Sequence, residues 1–383
     1  MHRRKARETP RQAHREARLR REEARQGAKE IVEIDGSWGE GGGQVLRTCL
    51  TLACLTGTPV RVFNIRAGRR SPGLRPQHVL SASAAAHITG GALTGAEPGS
   101  REITFTPGPL SAGTYTFDVA AERASAGSTG LVFQTLALPL SFAPGTSRVI
   151  IKGGTHVEWS PSADYIKEVF LPAVKKAGVD IEVENPVKGF YPVGGGELLV
   201  TIKPCVRPLL PVTLTERGAI TRISILSTVA NLPLSIAKRQ LDRAQERLGG
   251  LGAHVLGESV EVRSPGRGTA VFILAEFEKT RAGFSALGAR GKRAEAVADE
   301  AAESFLAYLG ASGVLDPHLS DQVMLPMALA EGVSAATTTE VTGHLRTNIH
   351  VIEKFLPVKF DIRGETGREG QVTVAGAAYR GKE

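Results

Sequence analysis

Residues 31–35 (Ile31-Val32-Glu33-Ile34-Asp35) alternate apolar and polar side chains, which predicts a strand that runs into a glycine loop from Gly36 to Gly43. Apolar residues then recur at helical spacing from Gln44 to about Leu55, with Val45, Leu46, Cys49, Leu50 and Ala53 on one face. Gly57-Thr58-Pro59 ends that helix, and Val60 to Ile65 reads as a second strand. The same order recurs twice. Ser128 to Phe142 predicts an apolar helix, followed by a turn at Gly145-Thr146 and a strand from Arg148 to Ile151. Asp321 to Ala330 predicts another, followed by Gly332 and a threonine-rich strand, Thr337 to Val341. Three helix–turn–strand copies, each ending at a glycine-marked loop, predict an α/β unit of roughly 90 residues repeated along the chain.

The copies are unevenly spaced because another pattern intervenes. Ile220 to Leu226 and Thr269 to Phe277 read as strands, and Leu234 to Leu248 reads as a charged amphipathic helix. Residues 214–288 are therefore expected to form a small α/β domain inserted at an exposed connection. A helix from Ala294 to Leu309 is expected to return the chain to the main body. One more helix is signposted by Ser160 as N-cap and Pro161 at the first helical position. Its buried stripe is Tyr165, Ile166, Val169 and Phe170; Pro172 kinks it and Gly178 ends it.

Composition sharpens this picture in three ways. Glycine numbers 44 in 383 residues, with no collagen-like period, which points to turns and to loops that approach ligands. The net charge of +8 is concentrated at the start: residues 1–30 hold eleven Lys/Arg against five Asp/Glu. That stretch is too poor in apolar side chains to bury a core and is expected to be a disordered basic extension. No run is long and apolar enough for a membrane span, no apolar signal-peptide core opens the chain, and the three cysteines form no CxxC pair. A reducing, cytoplasmic setting without a membrane is expected.

Several loops could carry chemistry. Gly39-Glu40-Gly41-Gly42-Gly43-Gln44 leads into a helix, where free backbone N–H groups and the helix dipole favour an anion. It has neither a Walker lysine nor dinucleotide spacing, and a tight structural turn fits as well. Glu40 in that loop suits a divalent cation or a ribose hydroxyl. Arg66, Arg69, Arg70 and Arg75 gather guanidinium groups at a strand end, and such forks match phosphate oxygens, although a solvated loop has the same look. Asp316, His318 and Asp321 read more simply as helix capping than as a metal cluster. Among the histidines, spacing alone does not separate His344 from His78 or His156.

The motifs together are more specific. Asp35-Gly36-Ser37 with Glu40-Gly41-Gly42-Gly43-Gln44-Val45-Leu46-Arg47 resembles the opening of the RNA 3′-terminal phosphate cyclases. So do Ile65-Arg66-Ala67-Gly68-Arg69, Pro72-Gly73-Leu74-Arg75-Pro76-Gln77-His78 and Lys188-Gly189-Phe190-Tyr191-Pro192 before Gly194-Gly195-Gly196. Leu214-Thr215-Glu216-Arg217-Gly218, His318-Leu319-Ser320-Asp321-Gln322 and His344-Leu345-Arg346-Thr347-Asn348-Ile349 complete the series in order. The likeness spans about residues 31–360.

The resemblance implies an α/β (α+β) fold of three βαβαββ-type units, each similar to the C-terminal domain of a bacterial translation initiation factor, plus one small inserted domain. The large catalytic domain would take residues 31–213 and 289–375, with 214–288 as the insert. It implies ATP-dependent conversion of an RNA 3′-phosphate to a 2′,3′-cyclic phosphodiester, with release of AMP and diphosphate and a need for Mg2+ or Mn2+. His344 falls on the family's nucleophile, which carries AMP covalently. Nucleotide contacts fall on Glu40, Gln134, Pro161, His318, Leu319, Ser320, Asp321 and Gln322. Arg66 and Arg69 match family arginines suited to the transferring phosphates. His318 departs from the family pattern, which often has tyrosine there. Two rivals are a non-catalytic relative that binds ribosomal RNA during its processing and an enolpyruvyl transferase of related architecture; neither needs His344.

Overall fold

The computed structural model describes residues 30–121, 125–205 and 207–381. The basic extension expected over residues 1–30 lies outside them, Glu30 excepted. Element by element, the chain opens with β1 (Val32–Asp35), α1 (Gly43–Thr56), β2 (Val60–Phe63), α2 (Pro76–Thr89), β3 (Ala92–Thr94) and β4 (Ile103–Thr106). Next come β5 (Thr114–Asp118), α3 (Thr129–Ser141), β6 (Ser147–Gly153), α4 (Ala163–Tyr165), a π-helical stretch (Ile166–Phe170), α5 (Leu171–Lys175), β7 (Ile181–Val187) and β8 (Gly196–Ile202). β9 (Thr213–Leu214) precedes a segment made of β10 (Ile220–Ala230), α6 (Leu234–Leu248), β11 (His254–Glu261), β12 (Gly268–Phe277), β13 (Arg281–Leu287) and α7 (Ala294–Gly310). The chain closes with α8 (Pro317–Gln322), α9 (Met324–Leu329), β14 (Val333–Thr338), α10 (Gly343–Phe355), β15 (Phe360–Arg363) and β16 (Gly370–Ala375).

The mixed α/β class is as expected. Three of the four sheets share one arrangement: β1-β2-β4-β3, β5-β6-β8-β7 and β9-β14-β16-β15. In each, the first two strands run parallel and the rest antiparallel. A parallel pair needs a crossover, and α1, α3 and the α8–α9 pair supply it. The fourth sheet, β11-β10-β12-β13, comes wholly from residues 220–287.

Helix α1 occupies the centre. It packs against α2, α3 and α10. Sequence periodicity gave it one apolar face, yet every residue from Val45 to Thr56 except Arg47 is buried, because helices distant in sequence surround it. Both α1 and α10 begin at the glycine-rich end of this cluster, so two helix N-termini are brought side by side.

Four local expectations change. The threonine-rich strand runs over Val333–Thr338, not Thr337 to Val341, with Val333 exposed and Ser334 buried. The predicted helix from Asp321 to Ala330 divides into α8 and α9 at Val323. Ser162, not Ser160, caps α4: its Oγ accepts from the Tyr165 N–H, which leaves Pro161 just outside the helix. The bend at Pro172 takes the form of the π-helical stretch just before it. Helix α7 also packs differently from expectation. Its Val297, Ala301 and Phe305 share an apolar cluster with Ile223, Val271 and Ile273 of the fourth sheet, so it covers that sheet before the chain rejoins the body.

Cys49, Cys54 and Cys205 are buried free thiols. Among the described residues no helix is long and apolar enough to cross a membrane.

Candidate functional site

The glycine loop turns tightly ahead of α1, with Gly39 at φ +62° and Gly41 at φ +54°, conformations that cost other residues about 1–2 kcal/mol. That turn directs Glu40 toward the start of α10. There Oε2 of Glu40 lies 2.8 Å from Nε2 of His344 and 3.5 Å from a guanidinium nitrogen of Arg69. Gly343 makes the approach possible, since a Cβ on it would stand 2.8 Å from Cγ of Glu40. Thr342 caps α10 through Oγ1, so His344 sits in the first turn, where peptide N–H groups face outward.

The His344 ring is half-exposed and lines a cleft of about 1500 Å3. Partial burial lowers its pKa despite the opposing pull of Glu40, and the positive charges of Arg47, Arg69 and His318 lower it further. A neutral imidazole at neutral pH follows; its Nε2, 2.8 Å from the Glu40 carboxylate, carries the ring proton and donates it, while Nδ1 is buried without a hydrogen-bond partner among the described residues. Such a ring becomes a competent nucleophile at Nε2 once Glu40 lets go and the proton moves to Nδ1.

The other two candidate histidines are differently housed. His78 is buried: its Nδ1 accepts from the Arg75 N–H, and burial together with Arg47, Arg66 and Arg75 pushes its pKa down to about 3. His156 is buried against Asp164 at 2.9 Å and Lys188 at 3.0 Å, with Thr155 Oγ1 2.9 Å from its other nitrogen. His344 alone of the three combines exposure, a carboxylate partner and a helix N-terminus.

A second layer of contacts joins α1, α8 and α10 next to the glycine loop. Gln44 donates to Oδ2 of Asp321 at 2.8 Å; Asn348 donates to the Asp321 carbonyl at 2.6 Å and accepts from Thr48 Oγ1 at 2.6 Å. Burial pushes the Asp321 carboxyl up to about 6, against the lowering effect of Gln44, His318 and Arg47. Arg47 lines the cleft between these groups, its own pKa brought down to about 10 by burial and held up by Asp321. Sequence reasoning met Gln44, Arg47 and Lys188 only inside motifs and His156 only as one of several histidines; it gave none of them a role and did not single out Asp164. The available signal for Arg47 was a lone charge in an otherwise apolar stretch of α1.

The remaining predicted residues are placed as follows. Arg66 and Arg69 both line the cleft, but the Arg66 guanidinium also donates to the carbonyls of Ser71 and Gly73 at 2.7 and 2.9 Å, which folds its own loop. His318 is exposed, Gln322 is half-buried with Oε1 unpartnered among the described residues, and Leu319 and Ser320 are buried. The segment is anchored by buried Asp316, which caps α8 and accepts from the Tyr165 hydroxyl, so the expected capping holds but the cap is not solvated. Gln134, half-buried on α3, Pro161, Glu40 and residues 318–322 are not among the cleft-lining residues. Among the described residues no three His, Cys, Asp or Glu side chains converge to hold a metal. Glu40 is one carboxylate, which suits a magnesium-type ion only if phosphates and water supply the other ligands.

A model of the RNA 3′-terminal phosphate cyclase family matches residues 38–362. The chain belongs to that family. Proteins named RNA 3′-terminal phosphate cyclase from Pyrobaculum neutrophilum and Methylococcus capsulatus are similar to it at 44% and 42% identity. These alignments cover 91% and 90% of this chain and 99% and 97% of theirs. A third, from Ralstonia nicotianae, is 43% identical over 87% of this chain and 94% of its own. Among solved structures, the enolpyruvyl transferase NikO from Streptomyces tendae aligns with 45% of this chain and 33% of its own at 17% identity, and its TM-score of 0.26 is too low to bear on the fold. Within the family match, the Glu40–His344–Arg69 contact unites three separate motifs.

Proposed function

We propose that the protein converts an RNA 3′-terminal phosphate into a 2′,3′-cyclic phosphodiester at the expense of ATP; the names of its relatives speak for cyclisation of an RNA 3′-terminal phosphate, and the ATP step is our own reading of the site. The observation that carries this reading is the half-exposed His344 ring held 2.8 Å from Glu40 at the mouth of an arginine-lined cleft.

In the proposed sequence the ring proton of His344 moves from Nε2 to Nδ1 as the nucleotide displaces Glu40; the freed Nε2 lone pair attacks the α-phosphorus of ATP, and diphosphate leaves with the electrons of the broken P–O bond. An oxygen of the RNA 3′-phosphate next attacks the same phosphorus; the P–N bond breaks and the imidazole becomes neutral again. The vicinal 2′-hydroxyl, already held at attack distance, then closes the ring on the RNA phosphorus as AMP departs and its proton goes to solvent. Glu40 orients the ring and gives up its contact as nucleotide enters. Its carboxylate is then free to hold, with the phosphates, a divalent cation that would offset phosphate charge. Arg69 and Arg66 counter charge on the transferring phosphates, as do the exposed N–H groups of α1 and α10. Gln134, Pro161 and residues 318–322 are assigned to the nucleotide, with His318 in place of the aromatic contact usual in the family.

We further read the three matching sheets as copies of one βαβαββ unit similar to the C-terminal domain of a translation initiation factor. They form a large body over 31–213 and 289–375, with 214–288 as a small domain whose packed core also takes in α7. A cytoplasmic location completes the reading.

The test is incubation with ATP labelled at the α-phosphate, followed by a search for acid-labile, base-stable label on the protein. Wild type takes up label and His344→Ala does not. Equal labelling of the variant, or none of the wild type, defeats the reading and favours a binding protein on the same scaffold.

A further inference from the structure

Two large aromatic side chains stand in solvent at the cleft wall for no reason of packing. Trp159 is 94% exposed and Tyr191 77% exposed, and both line the same cleft as His344. Trp159 also has φ +62°, an unfavourable conformation for a residue with a Cβ. Leaving a tryptophan in water in a strained turn contributes nothing to the core.

The loops that carry these rings are nevertheless firmly held. His156, three residues before Trp159, and Lys188, three before Tyr191, meet at Asp164; Lys188 Nζ lies 2.7 Å from its Oδ2. Buried charges this close are costly to break, so the two loops are fixed relative to each other. A second tie comes from the fourth sheet: the Lys188 N–H donates to the Arg263 carbonyl at 2.9 Å, and Phe190 packs with Ala230 and Ala270. The rings are therefore displayed on rigid supports.

The residues 220–310 contribute positive charge to the same cleft. Arg267 and Arg290 line it. Arg239, Arg243 and Arg247 of the same segment are paired with carboxylates, whereas Arg267 and Arg290 have no carboxylate partner among the described residues. Among the described residues that line the cleft, Glu158 is the one carboxylate.

Rigid exposed rings on one side and unpaired guanidinium groups on the other form a surface suited to single-stranded nucleic acid, with bases stacking and phosphates held electrostatically. We propose that the nucleotides preceding the RNA 3′ end lie along this wall, with bases on Trp159 and Tyr191 and phosphates toward Arg267 and Arg290. This rests on the cyclase reading and makes the enzyme selective for unpaired 3′ ends, since a base in a duplex has no free face to offer.

The test compares KM for a single-stranded dinucleotide and octanucleotide, each with a 3′-phosphate, and measures direct binding of the fluorescein-labelled octanucleotide by anisotropy. In wild type the octanucleotide has the lower KM. Trp159→Ala shrinks the ratio of the two KM values, weakening octanucleotide binding about tenfold, and Trp159→Phe restores most of it. Arg267→Ala and Arg290→Ala each flatten the dependence of log affinity on log salt by about 0.7. The Trp159, Arg267 and Arg290 side chains are all exposed, so these variants fold. Unchanged length dependence and salt slope overturn the proposal. If wild type takes no label from ATP, the cyclase reading falls, and anisotropy still decides whether the wall binds single strands.

Discussion

The side-chain amide of Gln44, in the first turn of α1, donates a 2.8 Å hydrogen bond to the carboxylate of buried Asp321 in α8. It links the glycine loop to the segment that carries His318 and Gln322. The carboxyl is pushed up to about 6 from an ordinary 3.8, chiefly by burial. The folded protein thus holds this proton more tightly than the unfolded chain. The resulting stabilisation is complete below the unfolded value and is lost as pH rises through about 6. Asp321→Asn removes the titration, so its stability relative to wild type improves by roughly 1–3 kcal/mol between about pH 4 and about pH 7.5. Urea midpoints at the two ends measure it; a constant difference contradicts the assignment.

Glu40 and Arg69 act on His344 in opposite senses. The Glu40 charge raises the pKa of the ring and Arg69 lowers it. Glu40→Gln therefore moves the acid limb of label uptake to lower pH, and Arg69→Ala moves it to higher pH. Titration of the ring by NMR should give the same two directions. Shifts of one sign for both variants would contradict the contact geometry.

Arg69→Ala also removes a guanidinium from the cleft. Turnover of RNA 3′-phosphate should fall about tenfold to hundredfold, the loss of a charged hydrogen bond. Unchanged turnover would take Arg69 out of the site.

Gly343→Ala separates site geometry from stability. The added methyl stands 2.8 Å from both Cγ and Oε1 of Glu40, while alanine is the better helix former by up to ~1 kcal/mol. Thermal midpoint should hold or rise as label uptake falls about a hundredfold. A parallel loss of both would mean that the glycine serves the fold alone.

Much of the architecture was legible where one side of an element faces water. The amphipathic α6 runs over Leu234–Leu248, as the spacing predicts. Misreadings cluster where burial does not follow hydrophobicity. In β14 the exposed end is Val333 and the buried positions are Ser334, Ala336 and Thr338, a pattern that misplaced the strand toward Val341. The one-sided reading of α1 failed because α2, α3 and α10 enclose it from distant parts of the chain. At the site, residue types and loops were legible, but their meeting was not. Glu40, Arg69 and His344 lie on different elements, and only the likeness in motif order suggested them together. Arg47 was missed because one arginine in a helix resembles ordinary surface.

Arg217, just before β10, donates through Nε to the carbonyl of Gly313, just after α7, at 2.7 Å, and its guanidinium lies 3.7 Å from the centre of the Tyr308 ring. The two strands of chain that lead into and out of residues 220–310 are thus clasped at one point. A guest whose ends already touch asks its host for no more room than a short turn would. The β9-β14-β16-β15 sheet can accommodate a whole extra sheet between β9 and α8 and still keep the strand order of its two counterparts.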